Sequence, residues 1–308
     1  MRRIVIIFVS VIFLISVIPA FHLFFRIMPE VSHSRSEMSG EEISVYNSKT
    51  GKVTTENIED YLVGVVTAEM PALYEIEALK AQAVAARSYI MSKKGMDNPE
   101  HKGAEVCTDP AHCKAYTDYD EAKKKWGKDF EKYHNKIKSA VESTEGEYLS
   151  YNGETVVACF YAVSGGRTEN ASDVWGGDTP YLRSVESPGD LTYKNLKSTV
   201  SVSKAEVMSA LNTDSTEIGG ITRTEGGSVK SVSIGGKLFS GTEIRSFFRL
   251  NSANFEVSST ETELVFITTG KGHGVGMSQY GANQMAKNGK TYKEILSHYY
   301  QGVVIDKI

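Results

Sequence analysis

The chain has 308 residues, 41% of them hydrophobic, which is ample for a packed core in one large domain or two lobes. Its 34 basic and 38 acidic residues leave a net charge of -4, and no long basic run offsets that balance. Both features argue against a nucleic-acid binder.

Ile4 through Phe25 is an almost uninterrupted apolar run behind Arg2 and Arg3, long enough to cross a hydrocarbon layer as a helix. The run exceeds a usual signal-peptide core, and Ile18-Pro19-Ala20 is a poor cleavage site. Residues 1–27 therefore read as a cytoplasmic tip and an uncleaved single-pass anchor, with a cleaved signal as the alternative. Residues 28–42, rich in Ser and charge after Pro29, read as a tether. The body, 43–308, is then expected outside the cytoplasm, close to the membrane surface.

Within the body, Ile43 to Asn47 and Lys52 to Thr55 read as a hairpin, and Ile58, Tyr61, Leu62 and Val65 mark a short helix leading to Thr67-Ala68-Glu69-Met70-Pro71. Pro71 suits a first helical turn, where its missing N–H is not needed. Ile76, Leu79, Ala83, Ala86 and Ile90 follow at steps of three and four, so the pattern predicts a helix from Pro71 with one buried face. Glu69 then lies at its amino-terminal edge, and Lys80 and Arg87, seven apart, share a face. The helix dipole and these cations would stabilise the ionised carboxylate, so a proton donor at Glu69 requires desolvation. A capping carboxylate with two solvated basic residues is the plain structural alternative.

Further along, Glu121 to Glu142 is charged and helical in pattern, with Trp126, Phe130, Tyr133 and Ile137 on one face. Asn152-Gly153 signals a type I′ turn between Glu147–Tyr151 and a strand Glu154–Val163 that runs into Ser164-Gly165-Gly166-Arg167-Thr168. Ile221–Thr224, Val229–Ile234 and Lys237–Phe239 suggest a β-meander, and Thr242 to Leu250 a helix. Thr291 and Glu294 form a capping box for a helix carrying Ile295, Leu296 and Tyr299 and closing at Gly302. No repeat emerges, and the expected fold is a mixed α+β body of helices and antiparallel hairpins around a substrate cleft.

Two segments concentrate chemistry. His101, Cys107, His112 and Cys113 crowd one loop-like stretch, and two thiolates with two imidazoles match a closed, structural tetrahedral zinc site. A Cys107–Cys113 disulfide is the competing reading. Cys159, inside an apolar strand, reads as an inert core thiol. The second segment runs from Lys271 to Gly281, where glycines expose His273 and a helix presents Ser278 and Gln279. It lacks the lysine-Ser/Thr pair of a phosphate loop. A hydrolase built on Ser164 and His273 lacks the G-x-S-x-G elbow.

Taken together, Thr67-Ala68-Glu69-Met70-Pro71, the helix Ala81 to Tyr89, Cys107 with His112-Cys113, Ser164 to Thr168, Val174-Trp175-Gly176, Tyr181-Leu182-Arg183 and Gly272 to Gly281 resemble the SpoIID family, in the same order and over nearly all of the body. The resemblance implies a lytic transglycosylase that cuts the bond between N-acetylmuramic acid and N-acetylglucosamine and leaves a 1,6-anhydro end. Glu69 matches the family's catalytic glutamate. Lys80 and Arg87 would bind the sugar or tune Glu69, while Tyr161, Ser164, His273 and Gln279 would line the cleft. Asp118, Asp120 and Asp173 have no place that the sequence assigns. Some members carry the Cys/His cluster and bind zinc, which implies a structural Zn2+ on His101, Cys107, His112 and Cys113 that the chemistry itself does not require. The implied setting is engulfment during sporulation, in the mother-cell membrane at the septum and the engulfing membrane, with a peptide-cleaving amidase and a membrane scaffold as partners and peptide-stripped glycan strands as substrate. Rival readings are a noncatalytic wall-binding or amidase-activating module, a muramidase that hydrolyses, and a zinc hydrolase.

Overall fold

Residues 40–308 are described by a computed structural model. The expected anchor and nearly all of the expected tether lie outside the described residues. Among the described residues, no helix is long and apolar enough to cross a membrane.

The body opens with the expected hairpin, Glu42–Asn47 against Lys52–Asn57, and Val106–Cys107 adds a short parallel strand beside it. Asn57 ends the hairpin and caps helix α1 (Ile58–Glu69), its side-chain oxygen accepting the N–H groups of Glu59 and Asp60 at 2.9 and 3.3 Å. Helix α1 ends at Glu69, and the chain does not enter the next helix at Pro71 as its sequence suggests. Met70 is extended, Pro71 and Tyr74 close a turn at 2.9 Å, and α2 spans Ile76–Met91. The N–H of Glu75 is held by the side chain of Asn283 at 2.8 Å, a long-range bond that no local pattern reveals. Glu69 is therefore the carboxyl-terminal residue of α1 and not the amino-terminal edge of α2.

The charged helical stretch breaks in two, α3 (Tyr119–Trp126) and α4 (Phe130–Glu142), because Gly127 takes a φ of 51° between them. Asp118 and Glu121 form a capping box at the start of α3, which gives Asp118 a structural place. The Asn152-Gly153 turn has the positive φ values the hairpin needs, 52° and 83°. Its second strand is only Glu154–Thr155; the chain then leaves, and Phe160–Tyr161 pairs in parallel with Met277–Ser278 instead. The expected single strand to Val163 is thus split between two sheets.

A short helix α5 (Ala171–Val174) precedes the segment from Lys197 to Thr269, which holds its own hydrophobic cluster. There the expected meander, Ile218–Arg223, Val229–Ile234 and Lys237–Phe239, lies with α6 (Lys204–Leu211) and α7 (Gly241–Phe247). A second antiparallel sheet of Phe255–Ser259, Glu263–Thr269 and Lys197–Ser203 completes it. At its centre Phe248 stacks on Phe266, and Phe255 meets Phe266 edge-on. Helices α8 (Gln279–Lys287) and α9 (Tyr292–Tyr299) follow, α9 with the predicted Thr291–Glu294 capping box.

Helix α2 is the hub. Its sequence predicts one buried face, yet Ala81, Gln82, Ala83, Val84, Ala85, Ala86, Arg87 and Ser88 are all buried. The alanines carry too little side chain to keep neighbours away, so α1, α4, α8, α9 and the strand Glu147–Tyr151 all pack against it. This arrangement brings the end of α1 and the start of α8 to the same side of α2.

Candidate active site

Glu69 is part-buried where these helix ends meet. Its Oε1 accepts the backbone N–H of Ala115 at 3.2 Å, and its Oε2 accepts the side-chain amide of Gln279 at 3.3 Å. The same Gln279 nitrogen donates to the Gln82 side-chain oxygen at 3.2 Å, so α1, α2, α8 and the loop after Cys113 are tied at one carboxylate. Because Glu69 ends α1, it faces the negative pole of that helix, the reverse of the dipole expected from the sequence. A cavity of about 470 Å³ opens beside it, lined by Thr67 to Leu73 and by Lys125, Trp126 and Tyr133. Among these lining residues Glu69 is the one carboxylate.

Lys114 precedes the Ala115 amide. Its ammonium sits 4.0 Å from the ring centre of Phe160 and 4.3 Å from that of Tyr89. Burial pushes its pKa below the usual lysine value, against the opposing pull of Cys159 and Glu69. A single lysine in a loop carries no sequence signal, and Lys114 takes its place only from the fold.

The two basic residues expected to serve Glu69 are engaged elsewhere. Arg87 is 0% exposed, its Nε 2.7 Å from Glu59 and Nη2 on the other Glu59 oxygen, while Nη1 donates to the Glu147 carbonyl at 2.8 Å. A fully buried guanidinium cannot touch substrate, so the expected sugar-binding role of Arg87 is replaced by that of a strut joining α1, α2 and the Glu147–Tyr151 strand. Lys80 pairs with Glu77 at 2.8 Å and lies 5.7 Å from the ring centre of Tyr292. It thus ties α2 to α9.

The glycine-rich segments also differ from expectation. Ser164 is buried, and its hydroxyl and N–H both go to Asp190, the latter at 2.9 Å. Asp190 also takes the Ser278 hydroxyl at 2.8 Å, and Ser278 caps α8 through the Gly281 N–H at 3.1 Å. Burial pushes the Asp190 carboxyl upward, with these hydrogen bonds pulling the other way. Ser164 is therefore part of the frame that fixes the first turn of α8, and with it Gln279, and does not present its hydroxyl to a cleft. Asp190 has no sequence signature, because its partners lie 26 and 88 residues away.

In His273, Nε2 donates to the Phe160 carbonyl at 3.1 Å and Nδ1 accepts the Val275 N–H at 3.1 Å. With both ring nitrogens engaged by backbone, His273 offers only its ring face, which lies 5.0 Å from Trp175 and 5.5 Å from Tyr161. Burial, with Lys114 and Arg245 nearby, pushes its pKa down to about 4. Tyr161 is buried, its phenol pushed well above the usual value by the same desolvation. A Ser164–His273 dyad does not form.

The Cys/His stretch converges as its spacing suggests. The ligand atoms of His101, Cys107, His112 and Cys113 all lie within 4.8 Å of one another, and both cysteines are free thiols. His101 Nε2 and His112 Nδ1 approach to 2.7 Å, and the second His112 nitrogen lies 2.8 Å from Glu100. That S2N2 donor set, with a carboxylate behind one imidazole, fits a tetrahedral ion with no open position. Only Lys114 separates Cys113 from Ala115, so this cluster and the Glu69 contact share one loop.

The family profile described as a stage II sporulation protein, SpoIID, matches residues 46–151. "Stage II sporulation protein D" of Bacillus subtilis is 41% identical over 90% of this chain and 82% of its own length. Its Bacillus amyloliquefaciens counterpart is 39% identical over 90% of this chain and 85% of its length. The "Amidase enhancer" of Bacillus subtilis is 30% identical over 79% of this chain, which spans 40% of that longer protein. The chain belongs to the SpoIID family of stage II sporulation proteins.

Proposed function

We propose that the protein is a peptidoglycan lytic transglycosylase that cuts glycan strands between N-acetylmuramic acid and N-acetylglucosamine, with Glu69 as both acid and base. The observation that carries this reading is a single carboxylate, Glu69, at the wall of a cavity of about 470 Å³, with no second carboxylate lining it among the described residues. Hydrolytic glycosidases use two carboxyl groups, one for the leaving oxygen and one for water or the anomeric carbon. One suffices when the substrate supplies the nucleophile. Glu69 gives its proton to the departing glucosaminyl oxygen as the C1–O bond breaks. The muramyl C6 hydroxyl oxygen then bonds to C1, and its proton returns to Glu69. Water is neither consumed nor released, and the acid is regenerated. Ala115 and Gln279 hold the carboxylate during the exchange, and Trp126 offers an aromatic face to a sugar ring.

His101, Cys107, His112 and Cys113 are the residues that would hold a structural zinc, which when bound would fix the loop carrying Lys114 and Ala115. The proposed setting is the outer face of the mother-cell membrane during engulfment, anchored by residues 1–27, in company with an amidase and a scaffold protein.

Mass spectrometry of peptide-free glycan strands, incubated with the full-length chain or its Glu69→Gln variant, tests the assignment. Anhydro-ended fragments from the wild type alone are expected. Reducing ends would make the protein a hydrolase. A second reading, an amidase-activating module, is favoured by the similarity to the amidase enhancer. Intact glycan in both reactions, with faster peptide release by an added cell-wall amidase, would establish it.

A further inference from the structure

Glu169 is a buried carboxylate with one oxygen unused. It is 2% exposed; its Oε1 accepts the Ser228 N–H at 3.0 Å, and its Oε2, also buried, has no partner among the described residues. Glycines fix its position from two sides, since a Cβ on Gly226 would stand 2.4 Å from its Cδ and one on Gly274 2.7 Å from its Cγ. Two residues back, Arg167 commits its terminal nitrogens to Glu225 and Glu186, at 2.5 and 3.7 Å, while its Nε is buried and unpartnered. Both groups line one small cavity of about 20 Å³, at the seam where the segment from Lys197 to Thr269 meets the glycine-rich loop after Val163. None of the residues lining it also lines the cavity beside Glu69.

An unpaired acceptor and an unpaired donor buried in one wall are costly unless something joins them. The occupant must give a proton to Oε2 and offer a lone pair to the Nε–H, and the volume admits one polar group about the size of water. A hydroxyl does both with a single oxygen. A divalent cation is poorly served, because a guanidinium shares the wall and Glu169 is the one carboxylate in it. Water would fill the cavity in the free protein, and a ligand hydroxyl that repeats both bonds can take its place.

The surroundings define the molecule that carries this hydroxyl. Tyr161 and His273 line the cavity, and the His273 ring lies 5.0 Å from Trp175. Trp175 is 54% exposed, a costly position for an indole, and leads into a turn where Gly176 and Gly177 take φ values of 76° and 72°. An indole face beside a carboxylate and a guanidinium suits a pyranose, whose C–H face stacks while a hydroxyl reaches the polar groups.

We propose that this seam is a second carbohydrate subsite, in which a sugar ring of the glycan strand lies on Trp175 and one free hydroxyl enters the cavity, donating to Glu169 and accepting from Arg167. This rests on the reading of the protein as one that acts on glycan, and adds a ring held outside the Glu69 cavity. N-acetylglucosamine brings hydroxyls at C3 and C6, whereas muramic acid carries its lactyl ether at C3 and keeps only the C6 hydroxyl free. The subsite therefore adds affinity only for strands long enough to reach it.

The test uses the full-length chain carrying Glu69→Gln, so that ligands stay intact, and β-1,4 hexamers of N-acetylglucosamine. Binding is measured by calorimetry with and without Trp175→Ala or Glu169→Gln, the latter keeping the shape of the side chain and its bond to Ser228. Each should weaken the hexamer about tenfold, the worth of one stacked ring or one charged hydrogen bond. Hexamers deoxygenated at C3 or at C6 identify the hydroxyl. Its loss should weaken binding about tenfold when Glu169 is present and have no effect in Glu169→Gln. With Trp126→Phe, Trp175 is the sole tryptophan, and its emission should shift as the hexamer binds. Full affinity in both variants, indifference to both deoxygenations, or an unmoved Trp175 emission would overturn the subsite, while anhydro products from the wild type would keep the enzyme reading intact. Affinity that depends on Glu169 and Trp175, with no cleavage of glycan by the wild type, would overturn the enzyme reading and leave the subsite standing. If Glu169→Gln does not fold, Trp175→Ala and the Trp175 emission decide.

Discussion

Glu69 at the last turn of α1 and Gln279 at the first turn of α8 meet side chain to side chain at 3.3 Å across 210 residues of chain. The Gln279 amide also reaches Gln82, so it cannot rotate away without breaking both bonds. Gln279→Leu keeps the bulk and removes the donor. It should lower kcat for anhydro product about ten- to hundredfold, the worth of a hydrogen bond to a charged group, with little change in thermal midpoint. An unchanged rate would remove Gln279 from the reaction.

The Arg87–Glu59 pair makes the opposite prediction. Removing one partner of a buried ion pair leaves the other charge uncompensated, at a cost of about 3–5 kcal/mol. Arg87→Met should therefore lower the urea midpoint sharply while the folded fraction still cleaves glycan. Arg87→Met combined with Glu59→Leu should recover much of the stability, because no lone charge remains. Full stability of Arg87→Met together with lost substrate binding would return Arg87 to the cleft.

These two contrasts mark how far the sequence carries. The Asn152-Gly153 turn and the Thr291–Glu294 cap follow from neighbours within four residues, and both read correctly. The Cys/His cluster was legible because its donors fall within 13 consecutive residues. Glu69 stood out by motif, yet its place at the end of α1 depends on Asn283 holding Glu75 from the far side of the chain. Helical spacing puts Arg87 and Lys80 on one face and Glu77 beside Lys80, but it cannot say that Glu59 lies opposite Arg87. Asp190 and Lys114 gave no signal, since each takes its meaning from groups that only the tertiary fold assembles.

Helix α1 also constrains the loop that carries Ala115. A Cβ on Gly64 would stand 2.1 Å from the Tyr116 ring, and Thr117 donates to the Gly64 carbonyl at 3.2 Å. Gly64→Ala must push Tyr116 outward, at a cost of about 1–3 kcal/mol for overpacking. Because Tyr116 follows Ala115, glycan cleavage should fall further than stability does. Equal stability and activity to wild type would show that the loop adjusts freely.

The Cys/His quartet makes a prediction that separates metal from disulfide. Metal analysis of the purified full-length chain should give about one zinc per chain. Chelation should lower the thermal midpoint and slow glycan cleavage together, since Cys113 and Ala115 belong to one loop. Oxidised Cys107 and Cys113 with no metal would rule the ion out.

His273 ties stability to pH in a definite direction. Its pKa is about 4 in the folded chain against an ordinary value of 6.5, because burial and the charges of Lys114 and Arg245 disfavour the imidazolium. Above about 6.5 the ring is neutral in both folded and unfolded chains, and its contribution is complete. Between about 6.5 and 4 the unfolded chain takes up a proton that the folded chain refuses, so stability falls as the pH falls. Below about 4 both forms are charged and the loss levels off, at a total on the order of 3 kcal/mol. His273→Gln keeps a donor toward the Phe160 carbonyl without the titrating ring. Its urea-derived stability should therefore decline less than that of the wild type between pH 7 and pH 4, although carboxylates titrate in both. Parallel curves for the two proteins would show that His273 titrates at its ordinary value and that its two backbone contacts do not hold the neutral form.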